Sequence, residues 1–211
     1  MTDYTKQDLI DFEEGIKREF LAGHIRFPIH LSAGNEQILL DLFKANNIGL
    51  DSWVFSTHRC HLHALLKGIP KEWLKKEILK GNSMHIMSKE YKFFASSIVG
   101  GSLPIAVGTA LAIKRQGLNE RVFAFCGDMA FTTGIFDECL RYARNFNLPI
   151  YFIVECNNLS TNSPTDICWG YQHKENYSLR LSENWGNGGL TGYCYERKCP
   201  HINVDSWVVF K

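Results

Sequence analysis

Two apolar runs constrain the fold more than any other feature of this chain. They read RVFAFC at residues 121–126 and PIYFIV at residues 149–154. Each has the length of a strand, and each stays apolar at odd and even positions alike. Strand side chains alternate between faces, so such runs belong to strands covered on both sides. Between them, residues 133–146 place Ile135, Phe136, Leu140, Ala143 and Phe146 at helical spacing. Strand, helix and strand of these lengths make one crossover between parallel strands. The expected fold is therefore α/β, a parallel sheet flanked by helices.

The residues just past the two strands carry the chemistry. Ligands of parallel sheets bind beyond the carboxyl ends of the strands. Gly127-Asp128 follows the first strand and Glu155-Cys156-Asn157-Asn158 the second. A carboxylate at the end of a buried strand needs a metal, a cation or several hydrogen bonds. Asp128 and Asn157 are 29 positions apart, about one crossover. If the strands are neighbours, a carboxylate and an amide oxygen converge at one edge. Magnesium takes one or two such hard donors and completes its octahedron with water and phosphate oxygens. A diphosphate ligand is then the natural third party. A helix starting near Thr133 would turn its amino end toward the same place and favour negative charge. The structural alternatives are a helix cap at Asp128 and a turn at Asn157-Asn158.

Gly127-Asp128 followed by Asn157-Asn158 resembles the Gly-Asp-Gly and Asn-Asn signature of thiamine diphosphate enzymes. The likeness extends further. THRCHLHALLKG from Thr57, GNSMH from Gly81, SIVGGSLPIAVGTALAIK from Ser97 and LPIYFIVECNN from Leu148 follow one another in order. The set is similar to alpha subunits of the 2-oxo-acid dehydrogenase first component over about residues 10–165. The amino-terminal half of transketolase shares the fold and the metal signature. The resemblance implies a thiamine diphosphate-binding fold of the diphosphate-binding type. It implies magnesium held by Asp128, the Asn157 side chain and the Leu159 carbonyl. His58 and Arg59 would flank the diphosphate, and Gly127, Met129 and Ala130 would border it, Ala130 through its amide. Ser97 and Val99 would line the aminopyrimidine pocket through backbone groups. His61 or His63 would face the reacting carbonyl, whereas His85 reads as structural. Bland roles stand beside these: a structural ion pair for Arg59, and satisfied core positions for His61 and His63.

Three departures accompany the likeness. Met129 stands where the signature has its second Gly, an awkward residue if that backbone needs a positive φ. Leu159 replaces an aromatic residue. A later His-bearing loop has no counterpart, and residues 166–211 form an atypical tail on a single domain spanning residues 1–211. Within that tail residues 184–192, NWGNGGLTG, read as a flexible loop and SWVVF at residues 206–210 as a strand. The family's carboxylate for the aminopyrimidine comes from a second, pyrimidine-binding domain, and Glu36 is not its counterpart. A beta-type partner subunit in an α2β2 heterotetramer is therefore expected, acting on a small-molecule substrate. The reaction would be 2-oxo-acid decarboxylation with acyl transfer, or ketol transfer. A non-catalytic subunit of the same fold is the alternative.

The remaining signals exclude more than they assign. A net charge of +1 over 211 residues offers no footprint for nucleic acid or an anionic membrane. No Gly-x-Gly-x-x-Gly or Walker loop follows a strand. The low-charge stretch of residues 93–113 contains Pro104 and several Gly and Ser, and reads as a buried helix rather than a membrane span. Its Ala106, Gly108, Ala110 and Ala112 would permit close approach of another helix. Seven scattered cysteines and an acidic amino-terminal segment fit reduced thiols and a cytoplasmic location. The spacing of Cys194, Cys199 and His201 fits no standard zinc pattern.

Overall fold

The computed structural model of the chain describes residues 3–161, 163–169 and 182–197. Helix α1 (Lys6–Leu21) opens on a capping box, in which Thr5 Oγ1 accepts from the Asp8 amide while the Asp8 carboxylate accepts from the Thr5 amide. Next come α2 (Glu36–Ala45), β1 (Ser52–Ser56), α3 (His61–Leu66) and α4 (Lys71–Glu77), the last running into a π-helical turn at Ile78–Asn82. Then come β2 (Met87–Ser88), β3 (Phe93–Ala95), α5 (Ser102–Arg115), β4 (Arg121–Gly127), α6 (Asp128–Phe131), α7 (Gly134–Asn145) and β5 (Ile150–Cys156). The small hairpin β6 (Leu159–Ser160) and β7 (Ser163–Pro164), helix α8 (Thr165–Trp169), and β8 (Ser182–Trp185) with β9 (Gly188–Cys194) complete the order.

Among the described residues the main sheet has seven strands in the order β2-β3-β1-β4-β5-β9-β8. The five inner strands are parallel, and β2 and β8 close the edges antiparallel. Strand β4 shows why its sequence is apolar throughout. Phe123 and Phe125 face a layer built from α1 to α4, while Val122, Ala124 and Cys126 face α5 and α7. Strand β5 divides the same way, Ile153 to the first layer and Phe152 and Val154 to the second. The strands on either side of the crossover are neighbours, in register from Val122↔Ile150 to Gly127↔Glu155.

Two sequence expectations need correction. The stretch of residues 93–113 is not one helix: Phe93–Ala95 is a parallel strand, and the helix begins at Ser102. Of the small residues of α5, which packs on α7, Ala106 and Ala110 are buried in the core and Gly108 and Ala112 are exposed. Residues 184–192 are no loop. They make a hairpin whose second strand joins the sheet beside β5, because Gly188 and Gly189 let the two backbones approach closely: a Cβ on Gly188 would stand 2.3 Å from the Ile150 carbonyl oxygen. Cys199, His201 and the 206–210 segment lie outside the described residues. Among the described residues no helix is long and apolar enough to cross a membrane.

Candidate functional site

Four inner parallel strands end on one side of the sheet, and the segments leaving them line one cleft. Thr57, His58 and Arg59 follow β1; Ser96 to Gly100 follow β3; Gly127 to Ala130 follow β4; and Asn157 and Leu159 to Thr161 follow β5. Tyr195, just past β9, lines the same cleft. His58, Arg59, Ser97, Val99, Gly127, Asp128, Met129, Ala130, Asn157 and Leu159 are thus brought together. His61 and His63 are not among the lining residues.

Asp128 is 2% exposed. Its Oδ1 accepts from the Met129 amide at 2.8 Å and its Oδ2 from the Asn157 amide at 3.0 Å. The second bond ties the end of β4 to the end of β5. Asn157 folds into a turn, its Oδ1 accepting from the Leu159 amide at 3.0 Å and its Nδ2 donating to the Tyr195 hydroxyl at 3.1 Å. These partners fix which end of the amide is oxygen. Asn158 then takes a left-handed backbone, φ 59°, that Asn tolerates well. Met129 sits inside the helical turn α6 and is not among the residues with positive φ. That position makes no demand for glycine. Gly100 does: its φ is 71°, and a Cβ there would meet Ile135 Cγ2 at 2.7 Å.

The cleft wall carries a cation with donor capacity to spare. Arg59 Nη1 donates to His58 Nε2 at 2.8 Å, which leaves the His58 proton on Nδ1. The His58 ring stands edge-on to His30 at 4.6 Å. Arg59 Nε is buried without a hydrogen-bond partner among the described residues. An orphaned buried donor on a guanidinium is costly, and a bound anion would relieve it. At the rim Ser97 Oγ lies 3.4 Å from His85 Nε2, and Ile98 is 72% exposed.

The two histidines expected near a reacting carbonyl are core residues here. His61 is fully buried, bonded through Nε2 to Ser83 Oγ at 2.9 Å and edge-on to Phe12. Burial pushes its pKa down to about 4, so it is neutral near pH 7. His63 stacks on Phe125 with ring centroids 4.1 Å apart. Its Nε2 is 3.2 Å from Glu155 Oε1, and the Ser56 hydroxyl closes the other side at Nδ1, 2.7 Å away.

Sequence reasoning missed the other half of this network. Glu155 lines the cleft and also accepts from Asn35 Nδ2 at 3.3 Å and from the Tyr193 hydroxyl. Strand alternation offered a signal, since Glu155 and Asn157 are two apart and share a face. Tyr193 and Tyr195 had no signal, because nothing local says that the tail returns to the sheet. Burial, with Glu155 adding, pushes the Tyr195 phenol above its usual range, so it stays a neutral hydroxyl.

Among the described residues no three His, Cys, Asp or Glu side chains gather as a metal site. The side-chain oxygens at the Asp128 corner are instead a carboxylate and an amide, the kind of donors a hard cation takes.

Comparison with known proteins supplies the family. The sequence model of the dehydrogenase E1 component family matches residues 4–167. The alpha subunit of acetoin:2,6-dichlorophenolindophenol oxidoreductase from Cupriavidus necator is 36% identical, over 79% of this chain and 53% of its own length. The pyruvate dehydrogenase E1 component subunit alpha of Rickettsia prowazekii is 31% identical, over 80% of this chain and 56% of its own. The X-ray structure of a protein from Mycobacterium smegmatis, titled as a thiamin diphosphate-dependent enzyme, is 22% identical over 61% of this chain and 23% of its own, with a TM-score of 0.41. The chain spans about half the length of the curated relatives it matches. With most of its residues inside the family match and both curated relatives alpha subunits, the chain belongs to the dehydrogenase E1 component family.

Proposed function

We propose that this chain is the diphosphate-side subunit of a thiamine diphosphate-dependent enzyme acting on a 2-oxo acid or a closely related carbonyl compound. The single observation that carries the reading is the Asp128–Asn157 junction, set in a cleft whose wall holds a buried Arg59 with an unpartnered Nε. Asp128, Asn157 Oδ1 and the Leu159 carbonyl would hold magnesium, and Arg59 with the Ala130 amide would take the diphosphate. When bound, thiamine diphosphate would supply a nucleophilic carbon and an electron sink for decarboxylation. The chain's own residues position and shield. The Met129 amide and the Asn157 amide aim Asp128, Tyr195 holds the Asn157 amide in one orientation, and the buried Phe125 and Ala130 give the cleft an apolar lining. A beta-type pyrimidine-binding partner would complete the site in an α2β2 heterotetramer, and residues 1–211 would act as one domain with 166–211 as its atypical part.

The test is calorimetric titration of the purified chain with thiamine diphosphate and magnesium, alone and after addition of a beta-type partner. Magnesium-dependent binding that tightens with the partner, and that Asp128→Ala weakens about tenfold or more, is expected. Binding indifferent to magnesium and to Asp128→Ala would sink the reading. Turnover by the assembled pair of 2-oxo acids, but not of ketose phosphates, separates decarboxylation from ketol transfer. The absence of His61 and His63 from the cleft favours one second reading, a subunit that binds the cofactor without chemistry. That subunit would give tight binding and an assembled complex with no turnover.

A further inference from the structure

The residues immediately before Asn157 and Tyr195 are both cysteines. Cys156 ends β5 and Cys194 ends β9, and the two are registered partners across the parallel pair. Neighbouring strands lie about 4.8 Å apart, inside the Cα separation of about 4.4–6.8 Å that a disulfide spans. Registered partners project to the same face of the sheet, which sets the two cysteine side chains side by side. Both are free thiols, Cys156 buried and Cys194 exposed. Cys156 Sγ also lies 3.6 Å from Asn158 Oδ1, inside the turn that shapes the Asp128 corner.

We propose that Cys156 and Cys194 form a reversible disulfide at the edge of the cleft, closed by low-molecular-weight disulfides and opened by thiols. Exposure decides the order of events. The Cys194 thiolate attacks one sulfur of the incoming disulfide, whose S–S bond breaks and whose other half leaves as a thiolate that takes up a proton. Cys156 then loses its proton and attacks the Cys194 sulfur, and the second small thiol leaves. Two protein thiols are oxidised by two electrons, and one small disulfide is reduced to two thiols. Cys156 is buried, so outside reagents do not reach it and it reacts only with a sulfur delivered beside it by Cys194. The new bond draws Cys156 Sγ away from Asn158 and pins β9 to β5 one residue short of the Asn157–Tyr195 hydrogen bond. That consequence for cofactor binding rests on the proposed function; the disulfide itself does not.

The experiment exposes the whole purified chain to a graded series of oxidised-to-reduced glutathione. Free thiols are then alkylated, and the chain is digested without reduction and analysed by mass spectrometry. Expected is a peptide pair linking Cys156 to Cys194 that appears toward the oxidising end and vanishes on returning to reduced glutathione. Buried Cys60, Cys126 and Cys139 should stay alkylatable after unfolding throughout. Cys194→Ser should leave Cys156 reduced, whereas Cys156→Ser should leave Cys194 as a mixed disulfide with glutathione. A mixed disulfide at Cys194 in the unaltered chain, with no link to Cys156, would overturn the proposal. So would two thiols that stay reduced until the fold is denatured. Amide hydrogen exchange over residues 157–161 reads the coupling to the cleft. A changed rate in the linked chain supports that coupling, and an unchanged rate refutes it while leaving the cofactor-binding result untouched.

Discussion

Asp128 is a buried carboxylate that accepts from two backbone amides, and one of those amides belongs to Asn157 on the next strand. The same side chain builds the junction and, under the proposed function, would hold the cation. Tyr195 supports the arrangement from a third strand, and its effect can be isolated. Tyr195→Phe keeps the ring packed and removes only the acceptor for Asn157 Nδ2. The amide loses its fixed orientation, so magnesium-dependent binding of thiamine diphosphate should weaken about tenfold. Stability should fall by only about 1 kcal/mol, the worth of one hydrogen bond. A magnesium titration beside a denaturant midpoint checks both, and equal losses in each would mean that Tyr195 merely packs. At this scale the meeting of Asp128 and Asn157 was legible because residue type and strand-end position together narrow the chemistry, whereas Arg59 came from the family resemblance alone. His61 and His63 were not legible. A histidine two or four residues past a conspicuous arginine can face the cleft or the core, and that depends on how α3 is rotated against Phe12, Phe43 and Phe125.

Among the elements, α6 shows how a sequence departure can cost nothing. A Gly in the middle of a signature implies a special backbone, yet Met129 lies in a helical turn between Asp128 and Phe131. Met129→Gly should accordingly lower stability by about 0.5–1 kcal/mol through added unfolded-state freedom. It should not tighten cofactor binding. Denaturant unfolding and a binding titration on the variant test this, and tighter binding would mean that the native methionine crowds the site. The crossover β4–α7–β5 was readable from end to end, since two fully apolar strands around one amphipathic helix admit few other arrangements. β1 was not recognised although it carries Thr57, His58 and Arg59 at its end. Its sequence SWVFS is short and flanked by turn residues, and its strand character comes from pairing with β3 and β4. The hairpin β8–β9 was read as a loop because Gly and Asn dominate it. Close backbone approach to β5, available to glycine alone, turns that composition into a strand.

For the molecule as a whole, two buried groups set opposing pH dependences. Burial, reinforced by Glu36, raises Glu13 from 4.5 to about 7, against the amides of Ser32 and Ala33 and the charge of Arg59. The folded state then holds a proton that the unfolded state has released. Its contribution is present below pH 4.5 and is lost as pH rises toward 7, about 3 kcal/mol in all. His61 works the other way: burial lowers it from 6.5 to about 4, so its contribution is present above pH 6.5 and lost as pH falls toward 4, again about 3 kcal/mol. Between about pH 4.5 and 6.5 the two slopes nearly cancel. Glu13→Gln should uncover stability that rises with pH in that window, and His61→Gln stability that falls with it. Denaturant midpoints of the two variants at half-unit pH steps read the signs directly; parallel profiles would show that neither group titrates as described.

By itself the sequence determined the α/β class, the doubly covered crossover, and the presence of an acid and an amide at consecutive strand ends, because periodicity and strand-end chemistry are local properties. Tertiary structure alone decided which histidines are core, that Glu155, Tyr193 and Tyr195 join the site, and that Cys156 meets Cys194. The first depends on how α3 is turned against the core and the other two on which distant strand lies alongside β5, choices settled by packing and invisible in any short stretch of residues.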